Sequence, residues 1–180
     1  MNKLVAVIGM CGSGKSEAVK FFISRGYKKV YFGDVVMREL NKKGLEINET
    51  NERNVREELR KKHGMGVMAE MSLPFIDEYL ETNNVVIESL YSWEEYKVMR
   101  NKYGSGFKLI TIYTTKSLRY ERLKKRKFRP LDNEESEMRD IHEIEKLDKG
   151  GPIAFTDYLI TNDGTLEELN YKLSEIEKRL

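Results

Sequence analysis

Val5-Ala6-Val7-Ile8-Gly9-Met10-Cys11-Gly12-Ser13-Gly14-Lys15-Ser16 is an apolar run, a glycine-rich turn and the start of a helix, and its reading decides the fold. Gly9, Gly14, Lys15 and Ser16 complete the pattern G-x-x-x-x-G-K-[ST], which binds the phosphates of a nucleoside triphosphate. The glycines allow backbone conformations closed to residues with a Cβ, so successive N–H groups can turn toward one anion. A helix starting near Lys15 adds unsatisfied N–H groups and the positive end of its dipole. Lys15 supplies a cation for the β- and γ-phosphates, and the Ser16 hydroxyl suits a Mg²⁺ ligand. All of Gly9, Cys11, Gly12, Ser13, Gly14, Lys15 and Ser16 are therefore expected around the bound phosphates. Cys11 reads as a small packing residue of that loop rather than a redox switch.

Outward from this loop, the context is the one such a motif requires. Val19, Phe22 and Ile23 fall at i, i+3, i+4 of the following helix, and Gly26 stops it. Further strands are expected at residues 28–32, 85–87, 107–113 and 158–160, each an apolar run and not an alternating pattern. Helical patterns separate them. Pro74 should break the helical stretch 65–80, and Ser92–Glu95 and Thr165–Glu168 read as capping boxes. Strands and helices thus alternate, which predicts an α/β fold of three layers, helices on both faces of a five-stranded parallel sheet. In such sheets the ligand lies beyond the carboxyl ends of the strands. Polar chemistry stands at four of them: the loop at 9–16, Gly33-Asp34, Glu88-Ser89, and Asn162-Asp163-Gly164.

The 180 residues suit one domain with a substantial core. A single cysteine rules out an internal disulfide, as in a reducing compartment. No apolar run approaches the ~20 residues of a membrane span, and the first residues read as a core strand and not a signal sequence. A cytoplasmic protein, monomeric or a small homo-oligomer, is expected. His63 and His142 are too few and too far apart for a metal site.

The net charge of +2 hides a reversal. Lys116, Arg119, Arg122, Lys124, Lys125, Arg126, Lys127 and Arg129 are followed by Asp132, Glu134, Glu135, Glu137, Asp140, Glu143 and Glu145. Two solvated helices attracting each other would explain this. A nucleic-acid patch explains it less well, because no aromatics are interleaved and acid follows at once. Beside a phosphate loop the leading reading is an arginine-bearing lid over residues 116–147, with Arg119, Arg122 and Arg126 on one helix face.

Taken together, G-M-C-G-S-G-K-S, G-D-V-V-M-R-E-L, V-V-I-E-S, S-L-R-Y-E-R-L-K-K-R, R-D-I-H-E and D-Y-L-I-T-N-D-G-T-L-E-E-L resemble the nucleotide-kinase branch of P-loop proteins. The likeness is to dephospho-CoA kinases and to adenylate kinase-related proteins of archaeal type, and it covers nearly the whole chain. It implies transfer of the γ-phosphate of ATP, with Mg²⁺, to a nucleotide-like acceptor held by a helical region at about 34–82. Asp34 would face the acceptor as general base, and Arg38 would bind its phosphate. Arg122 and Arg126 would act in catalysis beside Lys15. Arg119, Asn162 and Gly164 would border the nucleotide, the last two near the base. Glu88 stands where those families carry Asp, and would touch substrate and Mg²⁺ with Ser16.

The residues alone leave alternatives. Asp34 could be only a helix N-cap. Arg56 and Arg60, at i, i+4, could be solvated or could meet the acceptor. A nucleotide-binding regulatory protein or slow NTPase, using lid closure as a switch, could keep the loop and lid without an acceptor.

Overall fold

The computed structural model describes residues 2–180. The strands are β1 (Leu4–Ile8), β2 (Lys28–Tyr31), β3 (Val85–Glu88), β4 (Phe107–Tyr113) and β5 (Tyr158–Thr161). Between them run α1 (Lys15–Ser24), α2 (Asp34–Lys42), α3 (Glu49–His63), α4 (Val67–Glu70), α5 (Leu73–Leu80) and α6 (Trp93–Tyr103). The rest of the chain adds α7 (Lys116–Lys124), α8 (Asn133–Glu145), α9 (Gly150–Ala154) and α10 (Leu166–Glu177).

All four strand pairings are parallel, in the order β2-β3-β1-β4-β5. Parallel neighbours need crossovers, and the intervening helices supply them. β1 is central and buried along all five residues, so it must be apolar on both sides. Leu4, Ala6 and Ile8 pack with Val85, Ile87 and Leu109 against Val35, Leu40, Val55, Ile76 and Met99. Val5 and Val7 point the other way, with Val86, Ile110 and Ile160, onto Phe22 of α1 and Leu169 and Leu173 of α10. The three-layer α/β/α architecture follows from that two-residue alternation.

Local signals behave as their chemistry demands. The Ser92–Glu95 and Thr165–Glu168 capping boxes are formed, and a third, Asp132–Glu135, opens α8. Pro74 divides the stretch from 65 to 80 into α4 and α5, entering α5 within its first turn, where a missing N–H costs nothing. The charge reversal has become α7 and α8, joined by Lys116–Glu137 at 2.5 Å and Arg119–Asp140 at 2.6 Å. For those residues the attraction between two charged helices is the operative reading. Among the described residues no helix is long and apolar enough to cross a membrane.

Leu109 is fully buried at the centre of β4. Leu109→Ala should cost about 2–5 kcal/mol, since transfer and cavity terms add. Urea titration checks this, with a lower midpoint and an unchanged slope expected.

Candidate active site

β1 ends at Ile8, and the chain turns through Gly9–Gly14 into α1. Gly14, the residue before the helix, sits at φ 101°, left-handed territory that a side chain resists. A Cβ there would also run into the Asn162 amide, and one at Gly9 into the Ile112 carbonyl. The turn is therefore closed off from behind by β4 and β5. Asn162 Nδ2 donates to the Ser13 carbonyl at 2.8 Å, and Thr114 Oγ1 donates to the same carbonyl at 3.0 Å. Arg119 Nη1 donates to the Cys11 carbonyl at 3.0 Å while both its Nη atoms grip Asp140, at 2.9 and 2.6 Å. Ser13 N donates to the Met10 carbonyl at 3.2 Å within the loop, and with the Cys11 and Ser13 carbonyls held from outside the loop can turn further N–H groups toward an anion. The Ser13 hydroxyl is buried without a hydrogen-bond partner, and Ser16 is exposed at the start of α1. This cradle fits the phosphates of a nucleotide, with Ser16 free for the accompanying cation.

Lys15 Nζ donates to the Met10 carbonyl at 2.9 Å. Its amine is lowered to about 7, first by burial and then by the charge of Lys149, with Glu143 opposing. Arg122 Nη1 reaches Thr114 Oγ1 at 3.3 Å, the hydroxyl that braces the loop, and Arg126 Nη1 lies 4.0 Å from Cys11 Sγ in the loop itself. Cys11 itself is buried.

Several expected site residues stand elsewhere. Arg119 and Asn162 were expected on the nucleotide; both instead hold the loop's own carbonyls. Gly164 lies exposed in the turn before α10. Asp34 and Arg38 do not face the main cavity. They line a small separate depression with Lys29, Ser72, Phe75 and Tyr79, and the Arg38 guanidinium stacks 4.3 Å from the Phe75 ring. The cause is helical phase. Asp34 is the first residue of α2, not its cap, and two residues along a helix is about 200°, so Val36 faces the cavity and Asp34 turns away. Glu88 pairs with Lys29 of the neighbouring strand at 3.4 Å.

The main cavity, about 450 Å³, lies over the carboxyl ends of β2 and β3, beside the loop that follows β1. Arg56 and Arg60 of α3, Arg129 of the α7–α8 connection and Arg139 of α8 line it, with Glu52, Glu95 and Glu143. Ser89 and Tyr91 form its rim, where Ser89 holds φ 69°, a strained value for a residue with a side chain. Glu95 is both cap and wall: it accepts from Tyr91 N at 2.6 Å and Ser92 N at 3.0 Å, and Arg60 Nη2 is 3.9 Å away. Burial pushes its carboxyl up to about 7 despite those donors. Arg129, Arg139, Tyr91, Glu95, Glu143 and Lys149 were not singled out from sequence. One signal was available, since Arg139 is the sole base within the acidic stretch 131–145.

Strand, cradle and buttressed loop define a P-loop nucleotide-binding protein with a kinase-like fold. Residues 5–146 match the family described as AAA domain (AAA_18), and the chain belongs to it. Along nearly its full length it also belongs to the UPF0200 family. It is 35% identical over 181 residues to a UPF0200 protein of Thermococcus onnurineus, covering 98% of this chain and 97% of the relative. A Thermococcus gammatolerans UPF0200 protein is 34% identical, covering 98% and 95%. Among solved structures, TT1252 from Thermus thermophilus superposes with a TM-score of 0.68 at 17% identity, over 99% of this chain and 98% of that one. A shikimate kinase from Bacteroides thetaiotaomicron gives 0.62 at 16%, over 98% of each chain. At these identities the likeness is one of fold.

Glu95 sets a pH dependence. Its folded value lies above the usual carboxylate range, so the stability it contributes is full below about pH 4.5 and is lost as pH rises through about 7. Glu95→Gln removes that titration. Between pH 5 and 8 the variant should gain stability relative to the parent, read from urea midpoints at the two pH values; parallel profiles would reject this.

Proposed function

We propose that the chain is a phosphotransferase that moves the terminal phosphate of ATP, with Mg²⁺, onto a small anionic, nucleotide-like acceptor. The carrying observation is the cavity beside the P-loop, into which Arg56, Arg60, Arg129 and Arg139 converge. Guanidinium groups match phosphate and carboxylate oxygens in paired geometry, and a lined cavity of this kind would be superfluous for hydrolysis by water. Its 450 Å³ suits a molecule of nucleotide size and not a macromolecule.

In this reading the backbone of residues 9–15 holds the β- and γ-phosphates, and Lys15 exchanges the Met10 carbonyl for phosphate oxygen. Phosphate contact restores its charge, since a neighbouring anion favours the ammonium. Ser16 and Glu88 would hold Mg²⁺, which neutralises charge on the phosphate oxygens when bound. Arg122 and Arg126 approach the transferring group from the lid side, where they act on charge that develops in transit. Arg139 and Arg56 bind the acceptor's anion. Closure of the α7–α8 pair would exclude water and favour transfer over hydrolysis.

ADP formation measured against a panel of nucleoside monophosphates and dephospho-CoA tests the reading. At least one should accelerate it, whereas acceptor-independent turnover throughout would favour a switch or slow NTPase. Lys15→Ala should lower transfer by roughly 10²-fold or more with folding intact.

Two variants separate the cavity from the depression beside α2. Arg139→Ala should lower acceptor-dependent turnover at least ~10-fold, and Asp34→Asn should leave it within a few-fold of the parent. The reverse order would restore Asp34 as the base.

A further inference from the structure

The wall of the main cavity carries two polar atoms with nothing to bond. Glu95 Oε1 and Arg60 Nε are both buried without a hydrogen-bond partner, and both residues line the cavity. The side chains meet there, with Arg60 Nη2 standing 3.9 Å from Glu95 Oε1, too far for a hydrogen bond. Glu95 is not free to drift. Its Oε2 accepts from Tyr91 N and Ser92 N at 2.6 and 3.0 Å, so the cap that opens α6 also fixes Oε1. The Arg60 side chain is 14% exposed and that of Glu95 1%, against 53% for Arg129 and 52% for Arg139. The cavity thus joins a wet cationic mouth to a dry inner wall, where Phe32, Val36 and Met68 supply buried apolar surface.

Burying an acceptor and a donor without partners is unfavourable, and a pair serving structure alone would close to hydrogen-bond distance and recover the loss. A second anion does not answer the need. Glu95 would repel it, and the half-exposed arginines receive an anion with less desolvation. A carboxylate oxygen beside a guanidine N–H is instead complementary to an uncharged edge that sets a hydrogen-bond donor next to an acceptor. Flat heterocycles with amide or amidine edges have both, and their faces suit the apolar lining.

We propose that Arg60 and Glu95 are the specificity-determining pair for the phosphoryl acceptor: they read the donor–acceptor edge of a nucleobase-type ring, while Arg56 and Arg139 hold the acceptor's anion. This rests on the cavity being the acceptor site. It makes the acceptor a phosphate that bears a base, and sets a bare sugar phosphate aside.

Calorimetric titration of the full chain, with Mg²⁺ and AMP-PNP occupying the P-loop, compares AMP, GMP, CMP and UMP with ribose 5-phosphate. Working at pH 8 keeps Glu95, which burial raises to about 7, largely ionised. At least one nucleotide should bind about 10-fold or more tighter than ribose 5-phosphate, which has the anion without the ring. In Glu95→Gln the amide carbonyl stays with the two backbone N–H groups, so its NH₂ replaces an acceptor by a donor. The preference for that nucleotide over ribose 5-phosphate should then fall about 10-fold. A merely structural Glu95 would weaken nucleotide and sugar phosphate alike. Should Glu95→Gln fail to fold, Arg60→Lys, which keeps the charge but moves the donor, carries the test with the same loss expected. Ribose 5-phosphate binding as tightly as every nucleotide, no binding by any of the five, or an unchanged preference in the variant would overturn the role of this pair. Phosphotransfer stands or falls separately, on whether ADP formation depends on an acceptor.

Discussion

A loop that turns its N–H groups toward an anion must have its carbonyl groups held from outside, and everything near the site depends on that requirement. The carbonyls of Cys11 and Ser13 are held by Arg119, Thr114 and Asn162. These three donors come from α7, from the end of β4 and from the end of β5, all remote in sequence from residues 9–16. The strand order places β4 beside β1 and β5 beyond it, so the buttress exists only once the sheet has assembled. The Arg119–Asp140 grip extends the same constraint to α8, which carries Arg139 and Glu143 to the cavity.

Electrostatics then shape what the loop can receive. Lys15 belongs to it, Arg126 stands 4.0 Å from its Cys11 sulfur, and burial together with the charge of Lys149 lowers the Lys15 amine. Like charges held close in a dry place raise the free energy of the empty site and lower that of an anionic complex. Opposite the cations, acid is used sparingly: Asp140 is committed to Arg119, Glu143 to Lys149, and burial raises the Glu95 carboxyl to about 7. The cavity is thus positive where the loop meets it, which is the complement of a phosphoryl group passing between two molecules.

The charge reversal at 116–145 shows how one stretch can serve two purposes. Lys116 and Arg119 face α8 and are paired there. Arg122, one turn further, reaches Thr114 beside the loop, and Arg126, just past the helix end, approaches Cys11 within it. Helical phase divides Arg119 from Arg122 on α7, as it divides Asp34 from Val36 at the start of α2. Composition and spacing state that charges are present; the rotation of each helix about its axis states what they meet.

The sequence by itself determined the layered parallel fold and the phosphate loop. Apolar runs bounded by glycine, capping boxes and the G-x-x-x-x-G-K-[ST] spacing are local signals, and each specifies a conformation through contacts within a few residues. Arg122 was placed by periodicity on α7, whereas Arg126, expected on the same helix face, lies beyond the end of α7 and approaches Cys11 from the α7–α8 connection. Only the tertiary structure decided that Arg119 and Asn162 brace the loop, that Asp34 and Arg38 turn away, and that Arg129, Arg139 and Glu143 gather at the cavity. Those assignments depend on which helix face packs inward and on residues brought together from over 100 positions apart, as Cys11 and Arg119 are. Burial supplies that information, because removing apolar surface from water fixes each helix's rotation and so fixes where its polar side chains point.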